Sequence, residues 1–157
     1  MSIWGGGELG VLDLMNASAS VATPTTITDL IIPTVNVQRG CIAYNNSTGV
    51  ITFLESTDYH LVLMFNVNTS ASRTLFSYAE IDTGSGFVPI RYSARRLDVT
   101  ATTDGIKTFS STNFFTAGTK LKFKHWATGA MTYQSTDVPL TTPGTVTVPA
   151  IRLLYTT

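Results

Sequence analysis

The chain has 157 residues, a formal net charge of zero and only 13% charged residues, while Ser and Thr make up about a quarter of it. One domain with its own core fits that length, and the neutral balance argues against a nucleic-acid binder, which normally shows a basic patch. A single cysteine, Cys41, excludes an intramolecular disulfide and a cysteine-rich zinc site. No basic segment leads a long apolar run, so no signal peptide, membrane span or membrane partner is expected.

Residues 1–29 differ in character from the rest of the chain. Ile3 and Trp4 precede three glycines, then come Leu9, Val11, Leu12, Leu14 and Met15 and a run of small residues. A glycine triplet is costly to order, so the sequence predicts an extended N-terminal arm over 1–29 held by a partner. The alternative is that Trp4 and residues 9–15 fold back on their own domain, with 8–15 as a short helix or a strand. Ile3, Trp4, Leu9, Leu12, Leu14 and Met15 are the arm's expected contacts, with Trp4 as the main anchor.

A β-sandwich domain is predicted over 30–157. Asn45 to Gly49 is a cluster of turn formers in which Gly49 supplies a positive φ, and residues 50–54 form a short strand. After a break at 55–58, residues 59–67 alternate. Tyr59, Leu61, Leu63, Phe65 and Val67 share one face, and His60, Val62, Met64 and Asn66 share the other. The second face is half apolar, which a solvated face does not require; the strand is expected to be covered on both sides, the second cover coming from a loop, another subunit or a larger assembly.

Further strands are expected at 74–81, 87–92 with Pro89 marking an edge, 95–100, and 106–110 after an Asp104-Gly105 hairpin signal. Residues 120–126 alternate most cleanly: Leu121, Phe123 and His125 face the core, and Lys120, Lys122 and Lys124 face away with Trp126. The last strand is placed at 146–155. About ten short antiparallel strands with turns every eight to twelve residues predict an all-β jelly-roll sandwich.

Chemistry-bearing residues are dispersed. His60, His125 and Cys41 lie on separate strands without ligand spacing, so no metal site is expected. There is no nucleophile elbow, and the carboxylates fall mainly at turns. No catalytic residue, no cofactor and no enzyme activity are predicted. Lys120, Lys122 and Lys124, and a second group of Arg91, Arg95 and Arg96, read as solvated basic stripes or as surfaces for an acidic partner.

The run Tyr44-Asn45-Asn46-Ser47-Thr48-Gly49, with Ile51, Phe53 and Asp58-Tyr59-His60-Leu61, resembles the start of the globular head of the first complement component. Phe115 to Leu121, with its Ala117-Gly118 turn, is similar to a later segment of that family, and Ile151-Arg152-Leu153-Leu154-Tyr155 occupies the place of its last, central strand. Thr119 departs from the acidic residue usual there, so no calcium role carries over. The resemblance implies a jelly roll of the complement-head and tumour necrosis factor type, assembled as a homotrimer through one sheet; Tyr59, Val62, Met64, Leu154 and Tyr155 are the interface residues expected from it.

Such heads also occur on bacteriophages. The chain looks most like that version, which implies a structural virion protein on the capsid surface, made in the host cytoplasm. Its expected role is a decoration or cement protein whose partner is the major capsid protein or another virion protein. The alternative is a receptor- or carbohydrate-binding knob of a fibre or tail, contacting a host surface glycan through residues such as Tyr133.

Overall fold

A computed structural model describes residues 10–16, 20–101, 105–139 and 145–157; within these, the side chains of 105, 137–139 and 145–148 are left undescribed. The described residues contain strands and no helix, hence no helix long and apolar enough to cross a membrane. The strands are β1 (Val11–Asn16), β2 (Val21–Ala22), β3 (Thr28–Asp29), β4 (Thr34–Arg39), β5 (Ile42–Asn45), β6 (Val50–Phe53), β7 (Thr57–Asn68), β8 (Arg73–Asp82), β9 (Val88–Pro89) and β10 (Arg95–Val99). They continue with β11 (Gly105–Phe115), β12 (Lys120–Ala127), β13 (Thr132–Tyr133), β14 (Thr136–Pro139), β15 (Thr145–Val148) and β16 (Ile151–Thr156).

These strands form two packed antiparallel sheets. The first runs β2-β13-β7-β16-β1-β4, with β11 paired along the length of β7. The second runs β10-β8-β12-β6-β5, with β3 joined to β12 and β9 to β8, while β14 and β15 make a separate ribbon. The chain passes from one sheet to the other between β6 and β7, β7 and β8, β10 and β11, and β11 and β12, which is how a jelly roll closes its core.

Alternation accounts for the core. Leu121, Phe123 and His125 of β12 face the inward residues of β7, and Phe53 stands between the sheets. Its ring stacks on Phe115 at 4.2 Å, tilts against Tyr59 at 4.5 Å and meets Tyr155 edge-on at 5.5 Å. The Tyr59 hydroxyl donates to the Glu55 carbonyl at 2.9 Å, so its polar end is satisfied inside the core. The 45–49 turn forms as expected. It closes the β5-β6 hairpin, and Gly49 has φ 71°; a β-carbon there would lie 2.6 Å from the Leu30 carbonyl oxygen.

Three expectations change. Residues 10–16 are not part of a detached arm: β1 lies between β16 and β4, and Leu12 and Leu14 are fully buried in the domain's own core. Burial of such side chains contributes roughly 1.5 to 3 kcal/mol each, so they serve this fold rather than a partner. Ile3, Trp4 and Leu9 lie outside the described residues. The expected hairpin at Asp104-Gly105 is absent as a pairing, because β10 and β11 belong to different sheets; Asp104 itself lies outside the described residues. The expected last strand over 146–155 is two strands, β15 in the ribbon and β16 in the first sheet.

Candidate functional site

The outward face of the first sheet is the candidate. Antiparallel register places directly opposed residues on one face, and it aligns three rows across β4, β1, β16, β7 and β11. The middle row is Val37, Asp13, Leu154, Val62 and Ser110; one flank is Thr34, Met15, Arg152, Met64 and Thr108. The other flank is Arg39, Val11, Thr156, His60 and Thr112. Val11, Met15, Val62, Met64 and Leu154 are all half-buried, whereas Asn66, farther along the same face of β7, is 1% exposed and donates to the Thr136 hydroxyl of β14 at 3.2 Å.

One ion pair is set into this apolar strip. The Arg152 guanidinium donates from Nε and a terminal nitrogen to the two carboxylate oxygens of Asp13, each at 3.0 Å. This two-pronged geometry satisfies both Asp13 oxygens and fixes Arg152 flat along the sheet. Asn36 adds a longer bond to Asp13 at 3.4 Å. The polar groups at the strip's centre are therefore already paired, which lowers the cost of covering it. At its margin His60 Nδ1 and the Thr112 hydroxyl lie 3.1 Å apart.

Of the five interface residues expected from the resemblance, Val62, Met64 and Leu154 lie on this strip, and so does Met15 from the expected arm contacts. Tyr59 and Tyr155 do not. Their alternation with Val62 and Leu154 turns them inward, where they are 0% and 1% exposed; they are core residues. Residues that sequence reasoning missed are Asp13 and Arg152, which are far apart in the chain and meet only through the pairing of β1 with β16. Their opposite charges beside apolar neighbours give no local signal of this.

The outward face of the second sheet has another character. Lys122 Nζ lies 3.4 Å from Asp29 and 3.5 Å from Glu80, and Lys124 also pairs with Asp29. Partial burial pushes the Asp29 carboxyl up, but Lys124 and Lys122 outweigh it and hold the group below its ordinary range. Two of the three lysines of the expected basic stripe are thus neutralised by carboxylates rather than solvated. Beside it, Trp126 stacks on Phe76 at 4.9 Å and meets Tyr78 edge-on at 6.0 Å.

Tyr133, expected among exposed aromatics, is 1% exposed. Its hydroxyl lies 2.6 Å from His125 Nδ1 in the core, and burial pushes that imidazole down to about 4, so it is neutral at ordinary pH. Thr119 is buried and bonded to the Thr116 hydroxyl at 3.0 Å. Among the described residues no group of three or more His, Cys, Asp or Glu is placed to hold a metal ion.

Comparison by sequence yields no match, either to family models or to curated proteins. Comparison by structure is informative. Murine APRIL superposes with a TM-score of 0.57 at 11% identity, covering 95% of this chain and 98% of that one. The globular domain of zebrafish complement 1qA gives 0.56 at 9% identity, with 95% of each chain covered. Eiger TNF from S. frugiperda gives 0.55 at 13% identity, covering 94% of this chain and 90% of that one. The chain has a tumour necrosis factor and complement-head type of jelly roll. At such identities the likeness carries the fold, and it extends over nearly the whole chain.

Proposed function

We propose that the chain is a homotrimeric structural head on a virion surface, a decoration protein that binds a bacteriophage capsid and stabilises it. The observation that carries self-association is the apolar outward face of the first sheet, with Val62, Met64 and Leu154 at its centre and Asp13 and Arg152 already paired within it. Three copies packed through this face bury a surface that costs free energy in water. A fold shared with complement-head and tumour necrosis factor proteins, a scarcity of charge and the absence of any nucleophile elbow in the sequence support a role based on contact rather than chemistry. A trimer presents each outward surface three times, so individually weak contacts with shell subunits add up through avidity.

The test is a binding assay on phage heads stripped of the protein. Purified chain is expected to bind them saturably and to raise their melting temperature. Unchanged melting with no saturable binding would remove the capsid reading. A second reading, attachment to a host glycan, is favoured by the Trp126, Phe76 and Tyr78 cluster on the opposite sheet, since aromatic faces next to charged side chains suit sugar rings. A glycan array in which Trp126→Ala abolishes a reproducible signal would favour that reading.

A further inference from the structure

A cavity of about 420 Å³ opens between the two sheets on the side where β11 faces the 90–95 segment. Its walls are apolar: Leu61 and Leu63 from β7, Phe109 and Phe115 from β11, and Leu121 and Phe123 from β12. Its size falls within the range of small-molecule sites, roughly 300 to 1,000 Å³. Tyr155 lines it too and is 1% exposed, so the cavity reaches into the core.

The mouth carries the polar groups. Arg91, Tyr92 and Arg95 line it, and none of the lining residues is acidic. Neither arginine makes an ion pair among the described residues: Arg91 lies over the Tyr92 ring at 5.0 Å, and Arg95 donates to the Tyr92 and Ala94 carbonyls at 3.1 Å. Tyr92 is held at φ 68°, a left-handed conformation that a bulky residue adopts only under strain, and it is 81% exposed. Ser93 pins the segment, donating to Ile90 at 2.8 Å and accepting from the Ala79 amide at 3.0 Å. Strain held in place beside a cavity is the pattern of a built site.

We infer that this cavity binds a small amphiphile with an apolar body and one anionic head group. The body replaces water against the leucine and phenylalanine walls, and the head group meets the Arg91 and Arg95 guanidinium groups. The site lies between the sheets, touching the outward face of the first sheet only at Ser110 on β11, and does not rest on the trimer reading.

The experiment titrates anilinonaphthalene sulfonate, an aromatic body with one anion, into the full chain, with dodecanoate and dodecanol as competitors. Fluorescence is expected to saturate at one probe per chain, and dodecanoate to displace the probe at about tenfold lower concentration than dodecanol. The double variant Arg91→Ala/Arg95→Ala should lose that preference while dodecanol competes as before. Ser111→Trp, which fills the cavity from its β11 side, should abolish binding with the melting temperature retained. Absence of saturation, or an unchanged preference for the anion in the double arginine variant, would overturn the site. So would binding that appears only on dilution to single chains, because a second copy would then occupy the cavity.

Discussion

The two sheets are alike where they face each other and unlike where they face out. Inside, both contribute alternating large apolar side chains to one core. Outside, the first sheet carries Val11, Met15, Val62, Met64 and Leu154 around a single ion pair, whereas the second carries Lys122, Lys124, Asp29 and Glu80 bonded to one another. The charges on the second sheet are half-buried and satisfy one another, so that face needs no further partner. The half-buried apolar side chains of the first sheet have no such mutual compensation. The contrast supports the proposal that the outward face of the first sheet, rather than that of the second, is where copies of the chain associate.

The largest expected effect lies in what the sheets share. Phe53→Ala removes the ring that stacks on Phe115 and meets Tyr59 and Tyr155, and should cost about 3 to 5 kcal/mol in denaturant unfolding, with both sheets lost in one transition. Separate transitions for the two sheets would break the single-core picture. Acid should act nearly as strongly through His125. Its imidazole is pushed from 6.5 to about 4 by burial, opposed by a hydrogen bond to the Asp29 backbone. The unfolded chain therefore binds the proton first as pH falls. The contribution is fully present above pH 6.5 and is lost down to about pH 4, on the order of 3 kcal/mol in all. Unfolding of His125→Phe across the same range should lack that slope.

The outward faces are separated by a matched pair of substitutions. Val62→Glu sets an unpaired carboxylate opposite Leu154 and should raise the dissociation constant of the assembly at least about 100-fold, read by light scattering, while circular dichroism keeps its β signature. The smallest effect belongs to the other sheet. Lys124→Ala should change stability by at most about 1 kcal/mol and leave the mass unaltered. A lost assembly in this variant, with Val62→Glu intact, would exchange the roles of the two faces.

Much of the architecture is legible in the sequence because it depends on local periodicity. The period-two alternation in 59–67 and 120–126 gives both faces of β7 and β12 correctly, and Gly49 marks its turn because the positive φ leaves few other residues to choose from. Pairing at long range is not legible in the same way. The 10–16 stretch looks like an arm because its glycine-rich neighbour suggests a break; only the antiparallel partnership with β16, at the far end of the chain, makes Leu12 and Leu14 core residues. Tyr59 and Tyr155 look like interface residues because aromatic side chains favour both interiors and interfaces, and composition does not separate the two; their alternation with Val62 and Leu154 does. The cavity mouth at Arg91, Tyr92 and Arg95 has a sequence trace in the cluster of arginines, but the walls come from strands in both sheets.

The central claim is that the apolar face of the first sheet joins copies of this chain. Light scattering across a dilution series tests it most directly. The account predicts a mass of three chains that persists on dilution for the natural sequence and falls to one chain for Val62→Glu. A mass of one chain at every concentration for the natural sequence would contradict it.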